Sequence, residues 1–365
     1  PRFARAWAQS TEWKPEPGAS LSLLRWKRFV PSEDEAFMKM VDAFTKATGV
    51  KVTVTNESFD DIQPKASVAA NTGQGPDMVW GLFSFPALFP DKCLPLEDVA
   101  DALAKKYGPW FPSAQAYGKV KGKWIAIPVA STAAIRTTAS QHEEGRFRQV
   151  PHRHGRIPRT LSGPEEEQHA GGLRAGSRHG RRQHVVPLGP LVPRRQPRGR
   201  QREDRDQLAR DRQALEYVKS LYETFVPGTV SWNDSSNNKA FLAGDLYLTN
   251  NGISIYAAAK KDNPKLAEDM DHAVWPIGPA GKPTEFQLAF PILAFKYSKA
   301  PNACKAFISF MMEAANYNPW LEAAQGTCAS RCRTTPRTRS GRATRRTRSS
   351  PRPAGAPSRP AASHR

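Results

Sequence analysis

The stretch Asn71-Thr-Gly-Gln-Gly-Pro-Asp-Met-Val-Trp80 decides how the first part of the chain folds. It follows an apolar run with helical spacing, and Gly73 and Gly75 are residues that commonly end a helix. Pro76 disfavours helical backbone at the residue before it, and the apolar residues 78–80 are typical of a buried strand. The stretch therefore predicts a helix, a turn and a strand, in that order.

The preceding residues predict the same kind of unit. Residues 21–26 form an apolar run typical of a buried strand, and residues 50–55 alternate between polar and apolar side chains. Between them, Ser32 and Glu35 have the spacing of a capping box at the start of an amphipathic helix. A strand, a helix and a strand of this length form a right-handed unit with parallel strands. The sequence therefore predicts an α/β fold with an open sheet, where ligands bind at the carboxyl edge.

Positive charge is concentrated in two arginine-rich segments. The chain of 365 residues is long enough for about two domains and has a formal net charge of +20. Residues 136–212 contain 18 Arg, no Lys and 9 acidic residues, which gives +9, and residues 327–365 contain 11 Arg and no acidic residue, which gives +11. The rest of the chain is therefore neutral.

Three interpretations of the arginine-rich segments are open. A basic insert and tail could bind nucleic acid, although such segments usually combine Lys with Arg and include aromatic rings that stack on bases. A disordered, solvated linker and tail is the second interpretation. The third is translation of GC-rich DNA out of frame, which removes Lys, Trp and Tyr together. Both segments lack all three residue types, which favours two frameshifted segments.

Motifs outside the arginine-rich segments resemble those of one protein family, in the family's order. They are Gly75-Pro-Asp77, Gly122-Lys-Trp-Ile-Ala-Ile-Pro128, the Phe- and Gly-containing segment 240–252, and the Pro- and Gly-rich segment 273–283. Together they resemble extracellular solute-binding proteins of bacterial ABC transporters, in the sugar-binding family 1. Each motif is weak alone, but the set is specific. The resemblance covers residues 9–135 and 213–326.

The resemblance implies a two-lobed periplasmic-binding-protein fold similar to type II. The first lobe would comprise residues 9–135 and 286–312, and the second residues 213–285 and 313–326. Arg136-Thr-Thr138 is expected to break a strand that begins near residue 133, where the first arginine-rich segment starts. Both arginine-rich segments, 136–212 and 327–365, are expected to be disordered, because they cannot bury enough apolar surface. The second lobe is therefore expected to be incomplete.

The function implied by the resemblance is that of a periplasmic receptor in a Gram-negative bacterium. Residues 1–8 would be the remnant of a signal peptide, because Ala6-Trp-Ala8 has the small-x-small form of a cleavage site. The receptor would bind a sugar between its lobes and deliver it to the permease subunits of an ABC importer, as a monomer and without a nucleic-acid partner. With an incomplete second lobe, the chain as written is expected to bind poorly. The alternative is a nucleic-acid-binding protein that uses the arginine-rich segments.

The sequence offers little for catalysis, metals or cofactors. It contains no Gly-rich phosphate loop and no Ser elbow, so no enzymatic activity and no cofactor are expected. Cys328 and Cys332 lack the C-x-x-C spacing of a zinc site. Cys93 and Cys304 could form a disulfide in an oxidising compartment, or be free buried thiols, which we favour.

Candidate binding residues lie where strands are predicted to end. Sugars present apolar faces and hydroxyl edges, so their sites combine aromatic rings with polar side chains. The first-lobe candidates are Trp26, Lys27, Trp80, Phe83, Ser84, Ser131 and Thr132, and the second-lobe candidates are Trp232, Asn251 and Trp275. Each Trp could instead belong to the core. Asp77 is predicted to fix its turn and not to contact the ligand.

Overall fold

The computed structural model describes residues 7, 11–139, 198–278, 281–282 and 286–330, with residues 198–206 described as backbone only. The strands are β1 (Ser20–Trp26), β2 (Lys51–Glu57), β3 (Met78–Trp80), β4 (Lys119–Val120), β5 (Lys123–Trp124), β6 (Ile127–Ala133), β7 (Ile135–Ala139), β8 (Leu248–Asn251), β9 (Met270–Ala273), β10 (Gln287–Ala294) and β11 (Ala329–Ser330). The α-helices are α1 (Pro31–Thr48), α2 (Phe59–Thr72), α3 (Glu97–Tyr107), α4 (Pro112–Gly118), α5 (Arg198–Tyr222), α6 (Ser236–Ala243), α7 (Ser254–Asp262), α8 (Pro264–Asp269), α9 (Pro301–Met312) and α10 (Ala314–Ala323). The expectations for residues 140–197 and 331–365 lie outside the described residues.

The helix, turn and strand predicted around residues 71–80 are confirmed. Helix α2 ends at Gly73, which has a φ of 68° and donates its backbone N–H to the carbonyl of Ala69. Gly75 has a φ of 129°, and a Cβ at this position would lie 3.1 Å from the Cβ of Ala69. The turn therefore needs glycine for both its backbone conformation and its close approach to the helix. Strand β3 then lies parallel to β1.

A six-stranded sheet forms the centre of what we call the first lobe, residues 11–134 and 286–330. Its strand order is β11-β6-β10-β3-β1-β2. Strand β1 is parallel to β2 and β3, whereas β10 is antiparallel to both β3 and β6. The parallel half confirms the predicted α/β unit, and it brings the carboxyl ends of β1 and β3 to one edge.

Helix α1 covers this sheet with the apolar face that the sequence predicted. Phe37, Met40, Val41 and Phe44 are all buried in the first-lobe core. The predicted capping box of Ser32 and Glu35 was wrong. The helix begins at Pro31, and Val30 occupies the N-cap position without a side-chain hydrogen bond. The Ser32 hydroxyl instead donates to the Ala323 carbonyl at 2.7 Å, which ties α1 to α10.

A separate three-stranded sheet, of order β8-β7-β9, belongs to what we call the second lobe, residues 135–139 and 198–278. Helices α6, α7 and α8 supply most of its own small core, which includes Phe241, Leu246 and Ile255. The predicted break at Arg136-Thr-Thr138 was wrong. Strand β7 continues through these residues as the central strand, and Thr137 is fully buried between Thr249 and His272 of its neighbours. β-Branched threonine fits such a pleated, buried position.

Two predicted boundaries also differ from the structure. Residues 313–326 were assigned to the second lobe, but α10 packs in the first-lobe core, where the Tyr317 hydroxyl donates to the Val129 carbonyl at 2.6 Å. The tail was expected to depart at Thr327, but β11 pairs with β6 and Cys328 is buried. In both cases apolar side chains inside the segment are buried against distant parts of the first lobe.

The boundary predicted at Gln213 lies inside a helix. Helix α5 begins at Arg198, and its residues on both sides of position 213 are mostly good helix formers such as Arg, Gln, Ala and Leu. Arg212 and Glu216 form an exposed ion pair with helical spacing, at 2.9 Å. Local propensity therefore continues the helix through a segment whose composition had suggested no structure.

Trp7, within the proposed signal-peptide remnant 1–8, is part of the first-lobe core. It is buried and packs edge-on against Phe310, with ring centroids 4.9 Å apart. Cys93 and Cys304 are free buried thiols, as we favoured. Within the described part of the chain, no helix has the length and apolar composition needed to cross a membrane.

The carboxylate of Asp77 fixes the turn before β3, as predicted. Its Oδ2 accepts hydrogen bonds from the backbone N–H and the hydroxyl of Ser22 in β1, at 2.8 and 2.7 Å. Its Oδ1 accepts from the hydroxyl of Ser298, which follows β10, at 2.7 Å. The side chain therefore joins β1, β3 and the end of β10.

We expect Asp77→Asn to lower the free energy of unfolding by about 2–4 kcal/mol, because the amide nitrogen cannot accept the hydrogen bonds made by the carboxylate. Chemical denaturation followed by circular dichroism measures this change. Asp61→Asn is the matched control, since Asp61 is exposed and accepts a hydrogen bond from the Ser58 hydroxyl. Equal losses in the two variants would contradict the role given to Asp77.

A pH dependence follows from the buried thiols. Burial raises the pKa of Cys304 from 9.0 to about 12. Between these values the unfolded chain has lost the proton and the folded chain has kept it, so the free energy of unfolding falls as the pH rises, by up to about 1.4 kcal/mol per pH unit. Cys304→Ala should therefore flatten the decline in denaturation midpoint above pH 9. A slope identical to that of the unmodified chain would contradict this assignment.

Candidate functional site

A small recess lies where β1 and β3 end, at the sheet edge predicted for ligand binding. Its lining combines aromatic rings with two arginines, and comprises Arg25, Trp26, Arg28, Trp80, Gly81, Leu82 and Phe290. The parallel register places Arg25 of β1 directly beside Trp80 of β3. Strand β10 supplies Phe290, and the Trp80 indole N–H donates to its carbonyl at 3.2 Å.

The two arginines are each paired with a carboxylate from the first turn of α1. Arg25 forms an ion pair with Asp34, and Arg28 donates from Nε to Glu33 Oε1 at 2.7 Å. Burial lowers the pKa of Arg25 to about 10, although Asp34 opposes the shift. Burial also works against the charge of Arg28, but Glu33, Cys328 and Asp34 together outweigh it, and the pKa of Arg28 is raised. Both guanidinium groups therefore remain charged at neutral pH.

Arg28 lies among three aromatic rings. Its guanidinium carbon is 4.0 Å from the centroid of Phe290, 4.8 Å from that of Trp26 and 5.6 Å from that of Trp80. These distances are within the range of cation–π attraction, which strengthens when the charge is shielded from water. The rings and Glu33 together hold Arg28 in one position at the recess.

The second lobe reaches the recess through Asp234. Its Oδ2 accepts a hydrogen bond from the Trp26 indole N–H at 3.0 Å, which links residues 208 positions apart in the sequence. Asp234 lies just before helix α6, whose N-terminal half carries the buried Asn237 and Asn238. A side chain of each lobe therefore meets at the edge of the recess.

The structure brings Trp26 and Trp80 together, but it also encloses both of them. Trp80 is 4% exposed, and its ring packs against Phe37 and Trp320 with centroids 5.3 and 5.4 Å away. Trp26 is 8% exposed and has Phe29 and Phe59 edge-on to it. Both rings therefore form the wall of the recess as part of the core, and neither offers a free face to a sugar.

The other first-lobe candidates do not line the recess. Lys27 and Ser84 are exposed, and Phe83 has a φ of 52° and packs against Phe286. Ser131 is buried within β6, between β10 and β11. Thr132 lies at a contact between the lobes, since a Cβ added to Gly252 would be 3.3 Å from its hydroxyl.

The second-lobe candidates lie within that lobe's own structure. Trp232 packs against the second-lobe core, and Trp275 donates its indole N–H to Asn250 Oδ1 at 2.9 Å. The Asn251 amide donates to the Ser254 hydroxyl at 3.0 Å. All three side chains are half-buried, and none belongs to the recess lining.

Sequence reasoning missed the charged residues of the site. Arg25 falls inside an apolar run, and Glu33 and Asp34 have the acidic character common in the first turn of any helix. The available signal was the arrangement of two arginines at a strand end followed within one loop by two acidic residues at a helix start.

The described residues contain no group of three or more His, Cys, Asp or Glu side chains that could hold a metal ion.

The chain matches the family model for bacterial extracellular solute-binding proteins over residues 39–331. Comparison with curated proteins gives no significant match.

Solved structures of solute-binding proteins share the fold. The GacH receptor of Streptomyces glaucescens, described unliganded and with acarbose, superposes with a TM-score of 0.67 at 18% identity, covering 88% of this chain and 82% of its own. A solute-binding protein of Agrobacterium vitis with bound D-mannitol gives 0.66 at 15% identity, covering 85% and 76%. The T. maritima MalE3 with maltose gives 0.63 at 15% identity, covering 87% and 83%. At these identities the likeness shows the two-lobed fold alone.

Because Trp80 is enclosed by protein, we expect Trp80→Ala to destabilise the fold by about 3–5 kcal/mol, as core aromatic truncations do. Trp275→Ala is the matched control, and its half-buried ring should cost clearly less. Denaturation midpoints of both variants measure the difference. A Trp80→Ala protein as stable as the Trp275→Ala protein would contradict the core position.

Proposed function

Since the chain belongs to the family of bacterial extracellular solute-binding proteins, we propose that it is a receptor that binds a sugar or polyol between its lobes. It delivers this solute to the permease subunits of an ABC importer. It acts as a monomer in the periplasm of a Gram-negative bacterium, after export directed by a signal peptide, and it has no nucleic-acid partner and no enzymatic activity. The family match alone does not establish these properties. The position of the recess beside the Trp26–Asp234 contact supports the binding of a solute there.

The observation that carries the proposal is the position of the recess. It opens at the carboxyl ends of β1 and β3, where open α/β sheets bind ligands. The hydrogen bond from Trp26 to Asp234 brings the second lobe to the same place. A solute held there would lie beside this contact between the lobes, so we expect its binding to bias the balance between open and closed arrangements.

The chemistry of the lining suits a hydroxyl-rich solute. Trp26, Trp80 and Phe290 form the enclosed aromatic wall against which Arg28 packs, and the arginines provide N–H donors in fixed positions. The enclosed space of the recess is only about large enough for a water molecule, so a polyol or one sugar ring enters only when the side chains around it, or the two lobes, move apart.

The proposal does not depend on the arginine-rich segments apart from one contact. All recess residues lie within residues 25–82 and at Phe290. The exception is Cys328, whose thiol lies 3.3 Å from Arg28 Nη2. From the sequence we expected the chain as written to bind poorly, because its second lobe would be incomplete. Since β7 continues the second-lobe sheet through residues 135–139, we now propose that the full chain binds, and the titration below decides between the two expectations.

We expect the full chain to bind at least one member of a panel of maltose, maltotriose, mannobiose, D-mannitol and ribitol in isothermal titration calorimetry. The panel follows the solutes bound to similar folds. Trp26→Phe removes the N–H that bonds Asp234 and should weaken binding by about 1–2 kcal/mol, because the link between the lobes is lost.

Trp110→Phe is the matched control. Trp110 is equally buried and donates its indole N–H to the Ala100 carbonyl at 3.0 Å, but it does not line the recess. The control should keep the affinity of the unmodified chain. No binding by any panel member would refute the proposed function, and equal losses in both variants would remove Trp26 and Asp234 from it.

A further inference from the structure

Four charged side chains meet at the recess and compensate one another. Arg25 and Arg28 line it, and Asp34 and Glu33 pair with them from the adjacent turn of α1. The Glu33 and Arg28 side chains are 3% and 6% exposed, so this pair is shielded from water. Two positive and two negative charges leave the group without net charge.

The arginines nevertheless keep hydrogen-bonding capacity. A guanidinium group has five N–H donors. Arg28 uses one for Glu33 and one for the Cys328 thiol, and no other described residue accepts from it. The remaining N–H groups can therefore donate to solute oxygens, while the charge of the guanidinium is already matched by its carboxylate.

We infer that Glu33 and Asp34 determine specificity, by making the recess accept uncharged hydroxyl-bearing solutes and reject the corresponding sugar acids. The inference rests on the proposed function, since it concerns the solute of the same site. A solute carboxylate would leave water without gaining an unpaired cation, and it would have to share each arginine with Asp34 or Glu33, which carry charge of its own sign behind the recess lining. An uncharged hydroxyl group loses less hydration free energy on entering the recess, and the two carboxylates do not repel it. The preference for the uncharged solute therefore comes from the repulsion between the solute carboxylate and the carboxylates of Glu33 and Asp34.

Stability alone does not account for the arrangement. Buried ion pairs contribute little net stability, because the loss of hydration offsets most of their attraction. Here the pairs also place both guanidinium groups on the surface of the recess. A purely structural role predicts that removing one carboxylate changes the stability of the protein and leaves the ratio of acid to neutral affinities unchanged.

The test uses the full chain and three matched pairs of probes, which are D-glucose and D-glucuronate, maltose and maltobionate, and D-mannitol and D-mannonate. Calorimetry should show the uncharged member binding at least about tenfold more tightly to the unmodified chain. Asp34→Asn keeps the size of the side chain and leaves Arg25 without its counter-charge. It should raise the ratio of acid to neutral affinity by about tenfold.

Asp34 is preferred to Glu33 for the first variant because its side chain is 28% exposed, so the substitution is better tolerated. Glu33→Gln repeats the test at Arg28 once circular dichroism has shown that the variant is folded. Asp42→Asn removes the same charge from an exposed position of the same helix and should leave the ratio unchanged.

Equal binding of acid and neutral probes by the unmodified chain would overturn the inference and leave the proposed function intact. An acid-to-neutral ratio that Asp34→Asn does not move, or that Asp42→Asn moves equally, would also overturn it. If no probe of either kind binds although another panel sugar does, the acid of that sugar replaces the probes, and equal binding of the two overturns the inference. If no panel member binds, the proposed function fails and the inference fails with it.

Discussion

The carboxylate of Asp77 joins the segments of chain on which the first lobe depends. It accepts three hydrogen bonds, two from Ser22 in β1 and one from Ser298 beyond β10. The Asp77 carbonyl also accepts from the Phe295 N–H at 2.9 Å. Because Asp77 stands directly before β3, these bonds fix that strand between β1 and β10, as the sheet order requires. The recess lies at the other end of the same strands.

The charge pattern of the recess follows from this strand arrangement. Once β3 is fixed beside β1, the register sets Arg25 next to Trp80 and brings the end of β1 against the aromatic wall. The chain then has only a short loop before α1, so the first turn of that helix returns Glu33 and Asp34 to the same place. Acidic residues are favoured there in any case, because the N-terminus of a helix carries partial positive charge. The preference for acidic residues in the first turn of a helix thus supplies the negative charges that pair with Arg25 and Arg28, which are buried at the end of β1 and in the loop after it.

The sequence predicted the parts of this structure that depend on local pattern. The parallel unit, the strand after Asp77 and the buried face of α1 all follow from spacing and turn residues within short windows. The wrong predictions concern segments whose structure is set by contacts with residues far away in the sequence. Strand β7 is held by partners from residues 248–273, and α10 is held by the first-lobe core. The candidate site shows the same division, since the positions of Trp26 and Trp80 at the recess were predicted, but their enclosure and the charged pairs depend on contacts between remote segments.

The two lobes contribute differently to binding in this arrangement. The donors and the aromatic wall belong to the first lobe and are fixed by its core, whereas the second lobe contributes Asp234 through its hydrogen bond to Trp26. A change in the second lobe would then act on the fraction of molecules in the closed arrangement, and the apparent dissociation constant rises in proportion as that fraction falls. A change in the first-lobe charges would act on the preference for one solute over another. Under the proposed function, affinity and specificity are therefore separable, because a different lobe would control each of them.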